Sequence, residues 1–439
     1  MSNSGFFGSF FITQCRVMLA YRDLLRNHCK PITKRYIEQF HKSQMEAARQ
    51  LKGKTCLEVA FFLTVPGMWK DDEVFKTMQQ HPHYHPFVVI YPYDIYKNYD
   101  KSEIQQTLER TKRFIEEKGY EYIIPYDNER HHWVDLKSII KPDVVFFTSP
   151  YKDSYPKYYI YHYRDTFTCY VPYGYSALEL SSLNYDLIFH NLVGLHFVPN
   201  EMHKQISVRT ARNKGINTVV TGHPATEVFL RKDYVPQNQW KPQSKPKKKV
   251  IFAPHHTIND PDYPSLFLDI CDEMLEIAEQ FKDEVQFVFK PHQVLKFKLI
   301  QQWGKEKTEA YYQKWDEMEN TQLVSDGYVD LFLTSDALIH DCGSFTTEYL
   351  FIGKPVMYLC RKGIDMTQRF NEFGIHSFEC HYKGSNVTEI KRFLQEVVIE
   401  GKDPMRTKRE QFFEDYLKPK DGILPSQKIL KVLEEVING

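Results

Sequence analysis

The chain has 439 residues, enough for two domains that each bury a core, and Lys+Arg and Asp+Glu both count 57, so no global charge directs it to nucleic acid. Its 29 Tyr and 31 Phe suit an ordered globular protein, and eight scattered cysteines without a CxxC pair indicate neither a zinc cage nor a disulfide framework. A reducing, cytoplasmic compartment fits that usage.

Residues 1–54 form a first segment of helical, basic character. Its apolar run from Phe6 to Ala20 is broken by Thr13, Gln14, Cys15 and Arg16, has no small-residue cleavage site, and is shorter than the ~20 residues a bilayer span needs. The segment carries ten Lys/Arg against three acids, with Phe6, Phe7, Phe10 and Phe11 in front. Two readings stay open: a helix lying on an anionic membrane surface, or one packed on the domain that follows.

From Thr55 apolar strands alternate with helix-length segments. Leu57–Leu63, Phe87–Tyr91, Tyr122–Pro125, Val144–Phe147, Thr168–Val171, Leu187–Phe189 and Thr218–Thr221 read as strands, and Ser102–Lys118 as a charged helix. Such runs predict a parallel sheet covered on both faces, an α/β domain over 55–234, with ligands beyond the carboxyl ends of its strands. Pro172-Tyr173-Gly174-Tyr175-Ser176 follows one strand and precedes a helix expected over Ala177–Leu183. His81, His83 and His85 alternate without nearby carboxylates or cysteines, a weak metal signal, and no metal is expected there. Residues 235–249 read as a linker: Pro236, Pro242 and Pro246 disfavour regular structure, and Trp240–Val250 holds five lysines and no acid.

The second domain, 250–404, opens with strand Val250–Ala253 running into Pro254-His255-His256-Thr257. Helix Phe267–Phe281 and strand Val285–Phe289 follow, the strand ending in Lys290-Pro291-His292. Next come an apolar segment Leu331–Ser335, a strand Ala337–Ile339 ending at His340-Asp341, a turn Cys342-Gly343-Ser344, a helix Phe345–Ile352 stopped by Gly353, and a strand Val356–Leu359. A strand, glycine turn and helix present free N–H groups to an anion, with Thr346 and Thr347 as added donors; equally, Ser344 is an ordinary helix cap. Helices Met405–Tyr416 and Ser426–Ile437 close the chain in a segment 405–439.

The stretch Asp330–Leu359 resembles the C-terminal signature of the CDP-glycerol:poly(glycerophosphate) glycerophosphotransferase family, "DLLxxSDxLITDYSSxxFDxxxLxKPxxxY". Asp330, Ser335, Asp336, Leu338, Ile339, Asp341, Ser344, Lys354, Pro355 and Tyr358 fall in register, while His340 replaces Thr, Cys342-Gly343 replaces Tyr-Ser and Glu348 replaces Asp. Lys290-Pro291-His292 is similar to the family's "KxHP", Pro254–Thr257 occupies the place of its "YAPTWR", and Asp421-Gly422 resembles its closing "DGxASxR". Gly222-His223-Pro224 keeps the glycine and proline of "GxPRxD", with Ala225 and Glu227 in place of its Arg and Asp. At "WHGxxLK" the chain has Tyr173 where the family's base is histidine, and a phenol, ionising near ~10, is a poor base at neutral pH. His162 and Asp165 just upstream are the substitute catalytic candidates.

The resemblance implies two Rossmann-like domains facing a cleft, the GT-B architecture, with the last helices returning to the first domain. It implies transfer of an alcohol phosphate, CDP-glycerol being the first expected donor, to a surface polysaccharide or lipid-linked acceptor. His292 would act in transfer; Lys290, His255, His256, Thr257, Asp341, Gly343, Ser344, Thr346, Thr347 and Glu348 would bind the donor. Tyr173, Gly174 and Ser176 would face the acceptor. No cofactor and no metal are expected. A nucleotide-sugar glycosyltransferase or epimerase on the same architecture, and a non-catalytic nucleotide-binding homologue, stay open beside this reading.

Overall fold

The computed structural model describes residues 33–91, 101–127, 132–152, 155–260, 263–325 and 327–439, and the chain divides into two compact units. The first comprises the chain up to Gly174, Leu180–Glu227 and Pro419–Gly439; the second comprises Tyr175–Glu179 and Val228–Lys418. The aromatic leader, for which membrane contact and packing on the domain were both open, lies outside the described residues.

In the first unit β1 (Leu57–Leu63), β2 (Tyr84–Ile90), β3 (Tyr122–Ile123), β6 (Val144–Phe147), β7 (Phe167–Tyr170), β8 (Leu195–Val198) and β9 (Thr218–Val220) form one sheet in the order β3-β2-β1-β6-β7-β8-β9. Every pairing in it is parallel. β4 (Tyr126–Asp127) and β5 (His132–Trp133) make a separate antiparallel pair. The apolar runs are continuous because both faces are covered: Phe61 packs with Trp69 and Phe75 in one core layer, and its neighbour Phe62 with Tyr158 and Tyr163 in the other. Helix Lys34–Arg49 buries Ile37, Phe40, Gln44, Ala47 and Ala48, and Gln44 donates to the Tyr163 and Thr166 carbonyls at 2.9 and 3.0 Å. Over this stretch the apolar face is spent on the domain core. No described helix is long and apolar enough to cross a membrane.

One expected strand is a helix. Leu187–Phe189 begins the helix Ile188–Leu192, and the strand falls at Leu195–Val198. Residues 187–200 are buried throughout, so periodicity carries no signal there and a short apolar run fits either element.

In the second unit β10 (Lys248–Ala253), β11 (Val285–Phe289), β12 (Thr321–Leu323), β13 (Ala337–His340), β14 (Val356–Leu359) and β15 (Tyr382–Gly384) form a parallel sheet ordered β12-β11-β10-β13-β14-β15. Val250 and Phe252 pack with Met274 and Ile277 of helix Phe267–Gln280 and with Trp315. Leu331–Ser335 lies in a helix, Val329–Thr334, and its C-cap.

The unit boundaries depart from the expected ones. Residues 177–179 are extended rather than helical: Leu178 bridges Phe370, Ala177 O accepts from Asn371 N at 3.0 Å, and Arg369 O accepts from Glu179 N at 2.7 Å. The helix starts only at Ser181. Residues 235–247 of the expected linker are irregular but anchored within the second unit, and 248–249 already belong to β10. Trp240 is buried and donates to Thr334 Oγ1 at 2.9 Å, and Lys241 N donates to Gln322 Oε1 at 2.6 Å. Residues 405–418 stay in the second unit, where buried Arg409 pairs with Asp403 and donates to Gly353 O at 3.2 Å; the return to the first begins at Pro419.

Candidate functional site

The strand order of the second sheet reverses between β10 and β13, and open α/β sheets bind ligands beyond the carboxyl ends at such a point. Three loops leave that edge: His255–Thr257 after β10, Lys290–His292 after β11 and Asp341–Ser344 after β13. Backbone bonds clamp them together. Lys290 N donates to Phe252 O at 2.8 Å, His292 N to Pro254 O at 3.0 Å, and His255 N to Asp341 Oδ1 at 2.6 Å. The clamping brings three imidazoles into one cluster, with ring centroids 4.2 Å apart for His255–His256, 4.3 Å for His256–His292 and 4.9 Å for His255–His292. The β10 and β11 elements of the sequence reading thus meet.

Ligand atoms of the three rings lie within 4.8 Å of one another, close enough for a metal ion. Their surroundings favour an anion. Burial, the neighbouring rings and the charges of Arg369 and Lys298 push the His255 pKa down to about 2; burial, His292 and Lys298 push His256 to about 4. Burial, then Lys298 and Lys290, lower that of His292. The rings are therefore neutral at pH 7, inside a shell of cations. Val294 N donates to His292 Nδ1 at 3.1 Å, and Lys298 Nζ lies 3.2 Å from His256 Nδ1. A ring whose Nδ1 accepts carries its hydrogen on Nε2, so His256 and His292 each keep an N–H to donate and have no free nitrogen lone pair left for a metal.

The turn after β13 is built differently from the expected anion-binding helix start. Phe345–Glu348 is a single α turn continued by the 3-10 turn Tyr349–Ile352, and Ser344 is exposed and makes no side-chain cap bond. Thr346 and Thr347 face inward, with Thr346 Oγ1 donating to Cys342 O at 3.0 Å and Thr347 Oγ1 3.2 Å from Ser377 Oγ. Both hydroxyls are thus engaged inside the fold, not at the surface of the turn where the donor role was expected. Glu348 is buried too and bonds Tyr328. The Asp341 carboxylate accepts from His255 N, Ser265 Oγ (2.5 Å) and Leu266 N (3.2 Å), and so holds the β10 loop in place. Gly343, half-buried, and Ser344 are the members of this turn that remain open to a ligand. Thr257 Oγ1 lies 3.1 Å from His255 Nδ1, and Lys290 Nζ donates to Ser325 O at 3.3 Å.

In the first unit Tyr173 is 42% exposed, its hydroxyl 3.3 Å from that of Tyr151, and the loop it shares with Gly174 follows β7. Buried His223, which sequence comparison alone left without a role, donates from Nε2 to Pro172 O at 2.9 Å and fixes that loop. Ser176 belongs to the second unit, its carbonyl accepting from Asn371 Nδ2. His162 and Asp165, the candidates for a substitute base, lie away from the Tyr173 loop. They precede β7 and so stand at the amino edge of a parallel sheet, opposite Tyr173. His162 Nε2 is held by Asp135 Oδ2 at 2.9 Å, and Asp165 pairs with Lys137. His83 Nδ1 contacts Thr55 O at 3.0 Å, and His85 lies between Glu58 and Glu121 at 2.8 and 3.2 Å.

Comparison with known proteins adds the following. The family model for CDP-Glycerol:Poly(glycerophosphate) glycerophosphotransferase matches residues 179–435, more than half of the chain and all three loops of the cluster. No curated protein sequence matches. Among solved structures, the wall teichoic acid polymerase TagF is similar with a TM-score of 0.54 at 13% identity, covering 96% of this chain and 98% of that one. A putative UDP-N-acetylglucosamine 2-epimerase from Listeria monocytogenes has a TM-score of 0.54 at 14% identity, covering 87% and 96%; a further UDP-N-acetylglucosamine 2-epimerase has 0.55 at 16%, with the same coverage. At these identities the structural likenesses establish the two-domain α/β fold, and the family match establishes kinship: the chain belongs to the CDP-glycerol:poly(glycerophosphate) glycerophosphotransferase family.

Proposed function

We propose that this transferase moves glycerol phosphate, or a related alcohol phosphate, from a CDP-activated donor to a hydroxyl of a cell-surface polysaccharide or lipid-linked precursor. The observation that carries the reading is the neutral three-imidazole cluster ringed by Lys290, Lys298 and Arg369 at the strand-order reversal of the second sheet. The acceptor hydroxyl oxygen attacks the phosphorus bearing glycerol, the bond to the bridging oxygen breaks, CMP leaves with that bond's electron pair, and the hydroxyl proton passes to water. N–H donors of His256 and His292 and the lysine ammonium groups stabilise the charge accumulating on the departing phosphate, where preorganised donors act most strongly. Gly343 and Ser344 would flank the diphosphate. In this reading transfer needs no metal or other cofactor, nucleic acid is not a partner, and the basic residues of 1–54 hold the enzyme at the inner membrane surface, where a lipid-linked acceptor resides.

The test is incubation of the purified chain with CDP-glycerol and an acceptor extract, following CMP by chromatography and the phosphodiester by 31P NMR, with and without EDTA. Metal-independent CMP release with a new phosphodiester is the expected result. Turnover of UDP-linked sugars instead would favour the glycosyltransferase or epimerase reading, and tight CDP binding without turnover the non-catalytic one.

A further inference from the structure

Lys298 belongs to none of the motifs that carry the family resemblance. It stands on helix Leu295–Trp303, whose start is set by Leu295 N donating to His292 O at 2.8 Å, so the helix rises directly from the β11 loop. Its Nζ lies 3.2 Å from His256 Nδ1 and contributes positive potential at all three rings. An ammonium group only donates, which fixes the hydrogen of His256 on Nε2. The backbone N–H of Val294 does the same for His292. The two rings, 4.3 Å apart, thereby become matched donors. Lys290 and Arg369 add positive charge around the cluster and Asp260 opposes it. Lys296, two residues earlier on the same helix, is engaged elsewhere, 2.9 Å from Glu309 and over the Tyr312 ring.

We infer that Lys298 is a positioning residue of the diphosphate site: it locks His256 in the Nε2–H tautomer and places a positive charge behind that ring. The inference rests on the donor reading above for its ligand, but the tautomer contact stands on its own. A charge-assisted hydrogen bond lost from such a site weakens binding by roughly 10–100-fold.

The experiment uses full-length protein labelled with 15N-histidine, the His256 resonances assigned by difference from His256→Asn. In wild type the His256 Nε2–H tautomer dominates; in Lys298→Met it falls to a mixture, and Lys298→Arg restores it. Calorimetry with inorganic pyrophosphate and with CDP gives at least a tenfold loss for Lys298→Met, recovery to within about threefold for Lys298→Arg, and no change for Lys296→Met. An unchanged His256 tautomer in Lys298→Met overturns the inference, as does pyrophosphate affinity within twofold of wild type. Stoichiometric Zn2+ uptake through His256 Nε2 overturns it as well, since that nitrogen would then carry no hydrogen. If wild type binds neither pyrophosphate nor CDP while the tautomer still responds to Lys298→Met, the donor reading fails and the positioning contact is upheld.

Discussion

Side chains with identical sequence credentials part company once their bonds are traced. His292 and His162 each follow from a plausible local pattern, yet one lies in the imidazole cluster and the other is tied to Asp135 at the amino edge of its sheet. Replacing His292 or His256 with Ala is expected to lower CMP release by about 10²–10³-fold, the cost typical of losing one preorganised donor. His162→Ala and His83→Ala are expected to stay within about twofold of wild type; a collapse in either would reopen the first unit as the source of the catalytic group. The hydroxyls of the β13 turn separate the same way. Ser344→Ala should weaken donor affinity by several-fold, on the order of one hydrogen bond, without moving the melting temperature. Thr346→Val removes a buried bond to Cys342 O and should cost about 1–2 kcal/mol of stability with donor affinity unaltered. Calorimetry and thermal melts on the two variants distinguish a ligand-facing hydroxyl from a structural one.

At the level of elements, several positions that carry the resemblance turn out to be braces of the second sheet. Asp336 exchanges bonds with Lys249, its N donating to Lys249 O at 2.7 Å and its Oδ2 accepting from Lys249 N at 2.8 Å. Ser335 Oγ meets the Tyr349 hydroxyl at 2.8 Å, and Lys354 Nζ reaches Leu333 O at 3.2 Å at the end of helix Val329–Thr334. Gly353 ends the following turn at φ 70°, a left-handed conformation glycine adopts without strain. In the first unit, the helix Pro425–Asn438 follows Leu424, which has no side chain able to cap it, and Glu227 does so from a distance. Ser426 donates to it from N at 2.7 Å and from Oγ at 2.9 Å. Gly222 makes room nearby, since a Cβ there would lie 2.8 Å from Pro425 Cγ and its φ is 82°. Glu227→Ala is expected to lose about 1–2 kcal/mol in chemical denaturation, and Glu227→Gln less. A neutral Glu227→Ala would mean that the cap is dispensable and that apolar packing of Ile429, Leu430 and Leu433 suffices.

Across the molecule, buried histidines set an acid limit on stability. Burial lowers the pKa of His196 and His340 to about 3 and, together with neighbouring rings, that of His203 to about 3; that of His223 falls to about 4. Each stays neutral in the native state while its unfolded counterpart takes a proton below pH ~6.5. The unfolded state then binds more protons, so stability falls as pH drops from ~6.5 toward those native values, by up to about 1.4 kcal/mol per pH unit per residue. Denaturation midpoints are expected to decline steeply between pH 6.5 and 4.5. Gln at His203 should flatten the slope; an unchanged slope would show that carboxylates dominate the acid transition.

Most strands of the two sheets and the loops at their carboxyl ends were legible in sequence, because an apolar run buried on both faces and a glycine or proline after it are local signals; the order of the strands within each sheet was not. Phe61 and Phe62 announce a doubly covered strand wherever they are read. What only the tertiary structure decided is which loops share an edge. His255, His256 and His292 lie up to 37 positions apart and meet because β10 and β11 pair in parallel register. Lys298 joins them through the helix that rises from the β11 loop, and Glu227 reaches a helix about 200 residues further on through packing alone. Whether Thr346 faced a ligand or the core was settled likewise by what packs beside it, a long-range property that no spacing encodes.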